Sequence, residues 1–505
     1  MLPAKTHRLL YLVLLTLLGG SMVTSVWMAN LVWVLLAVNW LLEGRWAEKW
    51  RMARQSRLLH AYLVLYLLHL VGLLWTSHTA VGWAVLRVEL PLLAVPAVLL
   101  TTPPPEGRAR RLVLGAYVST VVVVSFIGLA RLLLIPTLPY REAVPYISHI
   151  RFALNCCMVI VILLLPVKRV GLWPRLGLLA LVVWMVVFLF LIRSYTALAV
   201  LLAVSFAMVF YKRRWTLAAV WLVLLAAGAV LVAYEVRSYY RLVPQATEPL
   251  LAYTPAGHPY EHACDGIVEN GNYINNYVCH DEMRSEWKKR SSVPYDTVFS
   301  EGCALHSTLI RYLNAMQLTK DSAGVAALSD EQVAQVEQGV ANPVYTRHNP
   351  LRKMVYVILF EREHYLHTHA VRGFSMLQRF ELWRAAAGVI ADHRWIGVGT
   401  GDVDAELHAE LRRMDSPLAS TSMRTHNQYL AFLAAFGVIG FALILFFFLR
   451  ALTAKGAYPL SPLMLAWLLI VLISFLTEDT LDTLPGILFC TYFLAYRNTC
   501  TTTTP

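Results

Sequence analysis

Long apolar runs separated by short polar turns make up most of this chain. Twelve such runs fall near 8–20, 22–42, 58–76, 81–100, 112–135, 150–166, 172–192, 195–211, 215–234, 427–449, 459–477 and 483–497. A helix crosses a bilayer core in roughly 20 apolar residues, so these runs read as membrane helices. The first is short and can merge with the second into a bent hairpin, which makes eleven an alternative count.

One stretch breaks the pattern. Residues 235–425 drop to an average soluble composition over about one domain's worth of chain. Within it, 305–319 and 330–340 read as amphipathic helices. Ser329 and Gln332 fit a capping box for the second, which Asn342 and Pro343 end. Residues 352–391 read as one or two longer helices, broken near Gly373. The expected organisation is nine helices over 1–234, a loop domain over 235–425, three helices over 426–497 and a polar tail over 498–505.

Composition agrees. Hydrophobic residues make up 58% of the chain, charged residues 15%, and the mean hydropathy is +0.56. These values exclude an ordinary soluble domain and predict an all-α polytopic membrane protein with one large, mostly helical loop domain. Basic residues cluster in alternate turns, including Arg45–Arg57, Arg108–Arg111, Lys212–Arg214 and Arg450–Lys455. Positive flanks stay inside, which predicts cytoplasmic termini and an external loop domain. The net charge of +12 is therefore a topology signal and not a nucleic-acid footprint. Lys5 and Arg8 precede an apolar run without a small-residue cleavage site, so the first helix reads as a retained anchor. Cys156, Cys157 and Cys490 fall in apolar runs. Cys264, Cys279 and Cys303 fall in the loop domain, where a Cys264–Cys279 bridge is the favoured pairing.

Candidate chemistry gathers on the external side. Arg141, Arg151 and Arg193 lie in external turns, where topology gives no reason for positive charge. Arginine carries a permanent charge and a planar fork suited to phosphate oxygens; anchoring to lipid headgroups is the plain alternative. Arg87 sits within an apolar run two residues before Glu89, as an ion pair or a binding group. Arg372, Met376, Arg379 and Trp383 share one helical stripe. Gly397, Gly399 and Gly401 follow in GVGTGDV, as a tight turn or a close approach to ligand. His426 and Asn427 then precede an apolar helix, and Glu478, Asp479 and Asp482 occupy a second external turn. His364, His367 and His369 have a spacing open to metal, but nothing beside them completes a site.

The order of these motifs resembles the O-antigen ligases. It is carried by IRSYTAL around Arg193, by Arg379 and Trp383 before GVGTGDV, and by HNQYL before an apolar helix. The resemblance implies a GT-C-like glycosyltransferase of the bacterial inner membrane, without metal or other cofactor. Such an enzyme moves a glycan from undecaprenyl pyrophosphate to lipid A-core at the periplasmic face. Carried over by motif, Arg193 and Arg379 would bind pyrophosphate, His426 would act as base, and Arg151 and Arg372 would assist. Asn427, Trp383 and Arg87 join them as candidate substrate-binding residues. Some relatives have two adjacent histidines where this chain has Thr425–His426. An O-antigen polymerase or protein oligosaccharyltransferase would use the same donor, and a small-anion transporter is the reading from a different class.

Overall fold

The computed structural model describes residues 3–135, 138–167, 170–240, 250–263, 266–299, 304–347, 350–368, 371, 375–453 and 460–497. The protein is an all-α polytopic membrane protein. The first ten helices are α1 (Ala4–Thr24), α2 (Val26–Leu42), α3 (Trp46–Gln55), α4 (Arg57–Gly72), α5 (Thr79–Thr101), α6 (Gly107–Leu134), α7 (His149–Leu164), α8 (Leu172–Leu191), α9 (Tyr195–Tyr211) and α10 (Trp215–Tyr239). Next come a two-stranded pair, β1 (Val268–Glu269) and β2 (Asn272–Tyr273), and α11 (His280–Arg290), α12 (Leu305–Ala315), α13 (Ser322–Ala326), α14 (Asp330–Glu337), α15 (Val344–Arg347) and α16 (Pro350–Thr368). The chain ends with α17 (Ser375–Asp392), α18 (Val403–Arg413), α19 (Gln428–Leu452), α20 (Pro462–Ser474) and α21 (Leu484–Tyr492).

A helix falls in each of the twelve apolar runs, and among the described residues they differ in length. By length and composition α1, α5, α6, α8, α10 and α19 qualify as membrane spans, and α2 with α3, bent by 116°, makes a seventh. The others are shorter apolar helices. Runs one and two stay separate because Ser25 is extended and caps α2, accepting the Met28 N–H.

The chain divides into two compact units. The first comprises Met1–Ala218, Leu382–Met414 and Ser422–Pro505. Its interior is built on α7 and α21, which are largely apolar and mostly buried. Several of the polar groups there are paired. Tyr117 donates its hydroxyl proton to Asn155 Oδ1 at 2.8 Å, and Tyr62 to the Cys490 carbonyl at 2.8 Å. In contrast, α8 exposes Leu172, Val183 and Phe190, an apolar surface fit for hydrocarbon.

The second unit comprises Ala219–Glu381 and Asp415–Thr421. Its core packs Trp287, Leu309, Tyr312 and Leu313 together. Arg311 reaches Glu269 through two hydrogen bonds, of 3.0 and 2.8 Å. The capping box forms as its sequence predicts: Ser329 Oγ accepts the Gln332 N–H, and Gln332 Oε1 accepts the Ser329 N–H. The 305–319 and 352–391 patterns become α12 and the pair α16 and α17. Cys279 is a buried free thiol; its expected partner Cys264, like Cys303 and Gly373, lies outside the described residues.

Candidate functional site

One carboxylate organises the entry to α19. Asp479, from the turn after α20, accepts the Thr425 hydroxyl at 2.7 Å and the backbone N–H groups of His426 and Asn427 at 2.8 and 2.9 Å. His426 is thereby held at φ +48°, a left-handed conformation that few non-glycine residues adopt. Asn427 is the N-cap of α19. Its Oδ1 accepts the N–H groups of Tyr429 and Leu430, and its Nδ2 donates to the Leu476 carbonyl. The polar atoms of Asn427 are thus engaged in starting the helix.

Beside this rim is a polar cavity of about 200 Å³, whose lining includes His69, Glu89, Asp404, Arg424, Gln428 and Asp482. Arg424 donates to Asp482 at 2.8 Å and lies 3.4 Å from Asp404. His69 Nδ1 faces the Leu65 carbonyl at 2.9 Å, and its Nε2 faces Glu89 at 3.0 Å. Both ring nitrogens therefore lie close to oxygen atoms, one of the backbone and one of Glu89. Burial pushes the Asp482 carboxyl up to about 7, and the neighbouring Asp479 charge adds to it against the pull of Arg424. A quarter of the Asp482 side chain nevertheless stays accessible.

The glycine turn makes its close approaches to the protein itself. α19 breaks at Gly437, where φ is +62°. The carbonyls this frees, Ala434 and Ala435, accept the N–H groups of Val398 and Gly399 at 2.9 and 3.0 Å. In return, Val438 and Ile439 donate to the Arg394 and Trp395 carbonyls. Non-helical backbone at membrane depth survives only when protein satisfies it in this way. A Cβ at Gly397 would lie 2.3 Å from the Ala435 carbonyl carbon, and one at Gly437 would lie 2.4 Å from that of Trp395. Thr400 then donates to the His69 carbonyl at 2.6 Å, and Thr76 Oγ1 accepts the Gly401 N–H at 2.8 Å. Asp402 closes the lacing, accepting the backbone N–H groups of Ser77 and His78. Burial pushes its carboxyl up, but these bonds and the His78 ring outweigh that and hold it below its ordinary value.

The predicted residues take different places. Arg193, exposed in the turn between α8 and α9, lies 4.9 Å above the Tyr140 ring. Arg151 is half-buried in the first turn of α7. Arg87 is exposed on α5 and outside the cavity lining; Glu89 pairs with His69 and not with Arg87. Trp383 is half-buried on α17 within the first unit, whereas Arg379, also half-buried, belongs to the second. Arg372 lies outside the described residues. Sequence reasoning passed over His69, Asp404 and Arg424. Their one signal was charge or a titratable ring in or beside an apolar run.

Residues 342–445 match the Wzy_C family model, O-antigen ligase. The segment takes in α17, the glycine turn, His426 and α19 past its break. The chain is thus similar to the O-antigen ligases through the region whose geometry is given above. No curated protein matches the chain. The match supports a ligase- or polymerase-type glycosyl transfer involving a lipid-linked glycan in a membrane.

Proposed function

We propose that this protein is an O-antigen ligase that transfers a glycan from undecaprenyl pyrophosphate to a sugar hydroxyl of lipid A-core, at the periplasmic face of the inner membrane. The observation that carries this reading is the coincidence of the matched segment with the rim around His426. The acceptor oxygen attacks the anomeric carbon and its proton passes to the His426 imidazole. The bond from that carbon to pyrophosphate breaks, and the lipid pyrophosphate leaves with the electron pair. Direct displacement inverts the anomeric configuration. Arg193 and Arg151 stabilise the charge that develops on the leaving group, in the role a metal ion fills elsewhere.

A second feature supports a lipid-borne substrate. An apolar cleft of about 900 Å³, lined by residues such as Tyr429, Phe441, Phe448, Leu468 and Phe475, shares Phe432 with the polar cavity. Hydrocarbon in the cleft would leave a polar headgroup beside the charged groups of the cavity.

The test is transfer by purified protein in nanodiscs, from a lipid-linked glycan to lipid A-core, with His426→Ala alongside. A base worth roughly 10²–10⁴-fold predicts a loss of that size with the fold retained. Full transfer by the variant overturns the base assignment. Glycan found on growing glycan or on protein, and not on lipid A-core, overturns the acceptor.

A further inference from the structure

The neighbouring ends of α6, α7, α8 and α9 collect positive charge that no acid pairs with among the described residues. Gly128 of α6 packs on the Phe188 ring of α8, which meets the Phe152 ring of α7 at 5.8 Å. One turn or less beyond this shared level lie Arg131 and Arg151; Arg193 and Ser194 follow just past the end of α8. Tyr140 reaches in from the connecting turn, with the Arg193 guanidinium 4.9 Å and that of Arg141 5.6 Å from its ring centre.

Three polar atoms at this end are buried without a hydrogen-bond partner among the described residues: Arg131 Nε, Arg151 Nε and Ser194 Oγ. Ser194 is only 3% exposed. Among the described residues no acid pairs with Arg131, Arg141, Arg151 or Arg193, although Glu142 sits exposed in the same turn. Two helices also begin here, α7 and α9. Neither N-cap serine, Ser148 or Ser194, spends its side chain on a first-turn N–H, so open N–H groups add to the positive field. A buried guanidinium nitrogen without a partner is costly, and an arginine within a membrane segment marks a candidate binding site.

This charge lies at the same end of the first unit as His426. At the opposite end of α9, Tyr211 donates to the Leu460 carbonyl, just before α20 begins. The start of α9 therefore lies level with the end of α20, whose following turn carries Asp479.

We propose that these helix ends form a diphosphate-binding site, in which Arg131 and Ser194 contact the anion together with Arg151 and Arg193. The proposal rests on the lipid-pyrophosphate donor read above, and adds two contacts that the family resemblance does not supply. The three guanidinium groups meet the diphosphate oxygens, and the Ser194 hydroxyl donates one further hydrogen bond.

The experiment measures binding of farnesyl diphosphate, with inorganic diphosphate as a second arm, to the full chain in phosphatidylcholine nanodiscs. Glycan transfer is assayed in the same discs. Arg131→Ala weakens farnesyl diphosphate binding by about 10-fold or more, Ser194→Ala by a smaller factor, and Arg131→Lys falls between wild type and Arg131→Ala. Arg111→Ala, exposed at the other end of α6, binds as wild type. If Arg131→Ala misfolds, phenylglyoxal labelling of the wild type decides, with Arg131 protected by the diphosphate. Unchanged binding in Arg131→Ala and Ser194→Ala, beside loss in Arg193→Ala, overturns the proposal and leaves the donor reading standing. Arg131-dependent diphosphate binding without transfer from a lipid-linked glycan overturns the donor reading and leaves the site. Inorganic diphosphate bound as tightly as the farnesyl ester shows that the anion, and not the lipid, is what these residues recognise, as the proposal expects. A wild type that binds neither probe overturns it.

Discussion

The Asp479 carboxylate takes the backbone N–H of His426 at 2.8 Å, and so fixes a left-handed residue at the mouth of α19. The contact joins residues on either side of two helices and uses no side-chain atom of the histidine. Its imidazole therefore stays available while its backbone is clamped.

Asp479→Ala should loosen that clamp. Three donors lose their acceptor, and each hydrogen bond to a charged group is worth about 1.5–3 kcal/mol. Transfer should fall by about 10-fold or more, and Asp479→Asn, which keeps one acceptor oxygen, should retain more activity. Wild-type rates in Asp479→Ala would show that the backbone clamp does not matter to the reaction.

Gly437→Ala and Gly397→Ala should each destabilise the first unit by about 3 kcal/mol or more. A positive φ costs about 1–2 kcal/mol for a residue with a Cβ, and overpacking against fixed backbone adds about 1–3 kcal/mol. Thermal unfolding in detergent measures this. A melting point equal to wild type for either variant would contradict the tight backbone crossing.

Asp482 sets a pH dependence. Its carboxyl is raised to about 7, above an unfolded value of about 3.9. Between those two values the folded protein holds a proton the unfolded chain has released, so stability falls as pH rises through this window. Asp482→Asn should flatten that slope, read as melting temperature at about pH 5 and about pH 8. An unaltered slope would assign it to another group.

Glu282 works in the opposite sense on the second unit. Burial pushes its carboxyl up, but hydrogen bonds from Thr254, Ser322 and His258 outweigh this and hold it at about 2. The stability it contributes is complete above an unfolded value of about 4.3 and is lost as pH falls towards 2. Glu282→Gln should remove part of the acid limb of unfolding, followed by tryptophan fluorescence of the buried Trp287.

Arg424 and Asp482 should couple. With both side chains partly exposed, the interaction is worth on the order of 1 kcal/mol. Arg424→Ala should lower stability, and adding Asp482→Asn should recover part of the loss, because the second change removes a charge left unpaired. Strictly additive effects in the double-mutant cycle would mean that the two do not interact.

Sequence alone determined the class of this protein, the positions of its apolar helices, the capping box at Ser329 and the polar rim at His426. All of these depend on residues near one another along the chain, where hydropathy and helical period act directly. Tertiary structure decided the rest. The glycine turn reads in sequence as a site for ligand or for a turn, yet its N–H groups and Thr400 go to α4 and to the break in α19, the former more than three hundred residues away. Asp479 reads as one of three solvated acids, yet it clamps His426. Glu89 reads as a partner for Arg87, yet it meets His69. Arg131 lies unremarked inside an apolar run until the ends of four helices show its Nε buried without a partner among the described residues. A polar group in a membrane protein must find a partner, and neither composition nor spacing reveals which distant backbone or side chain will supply it.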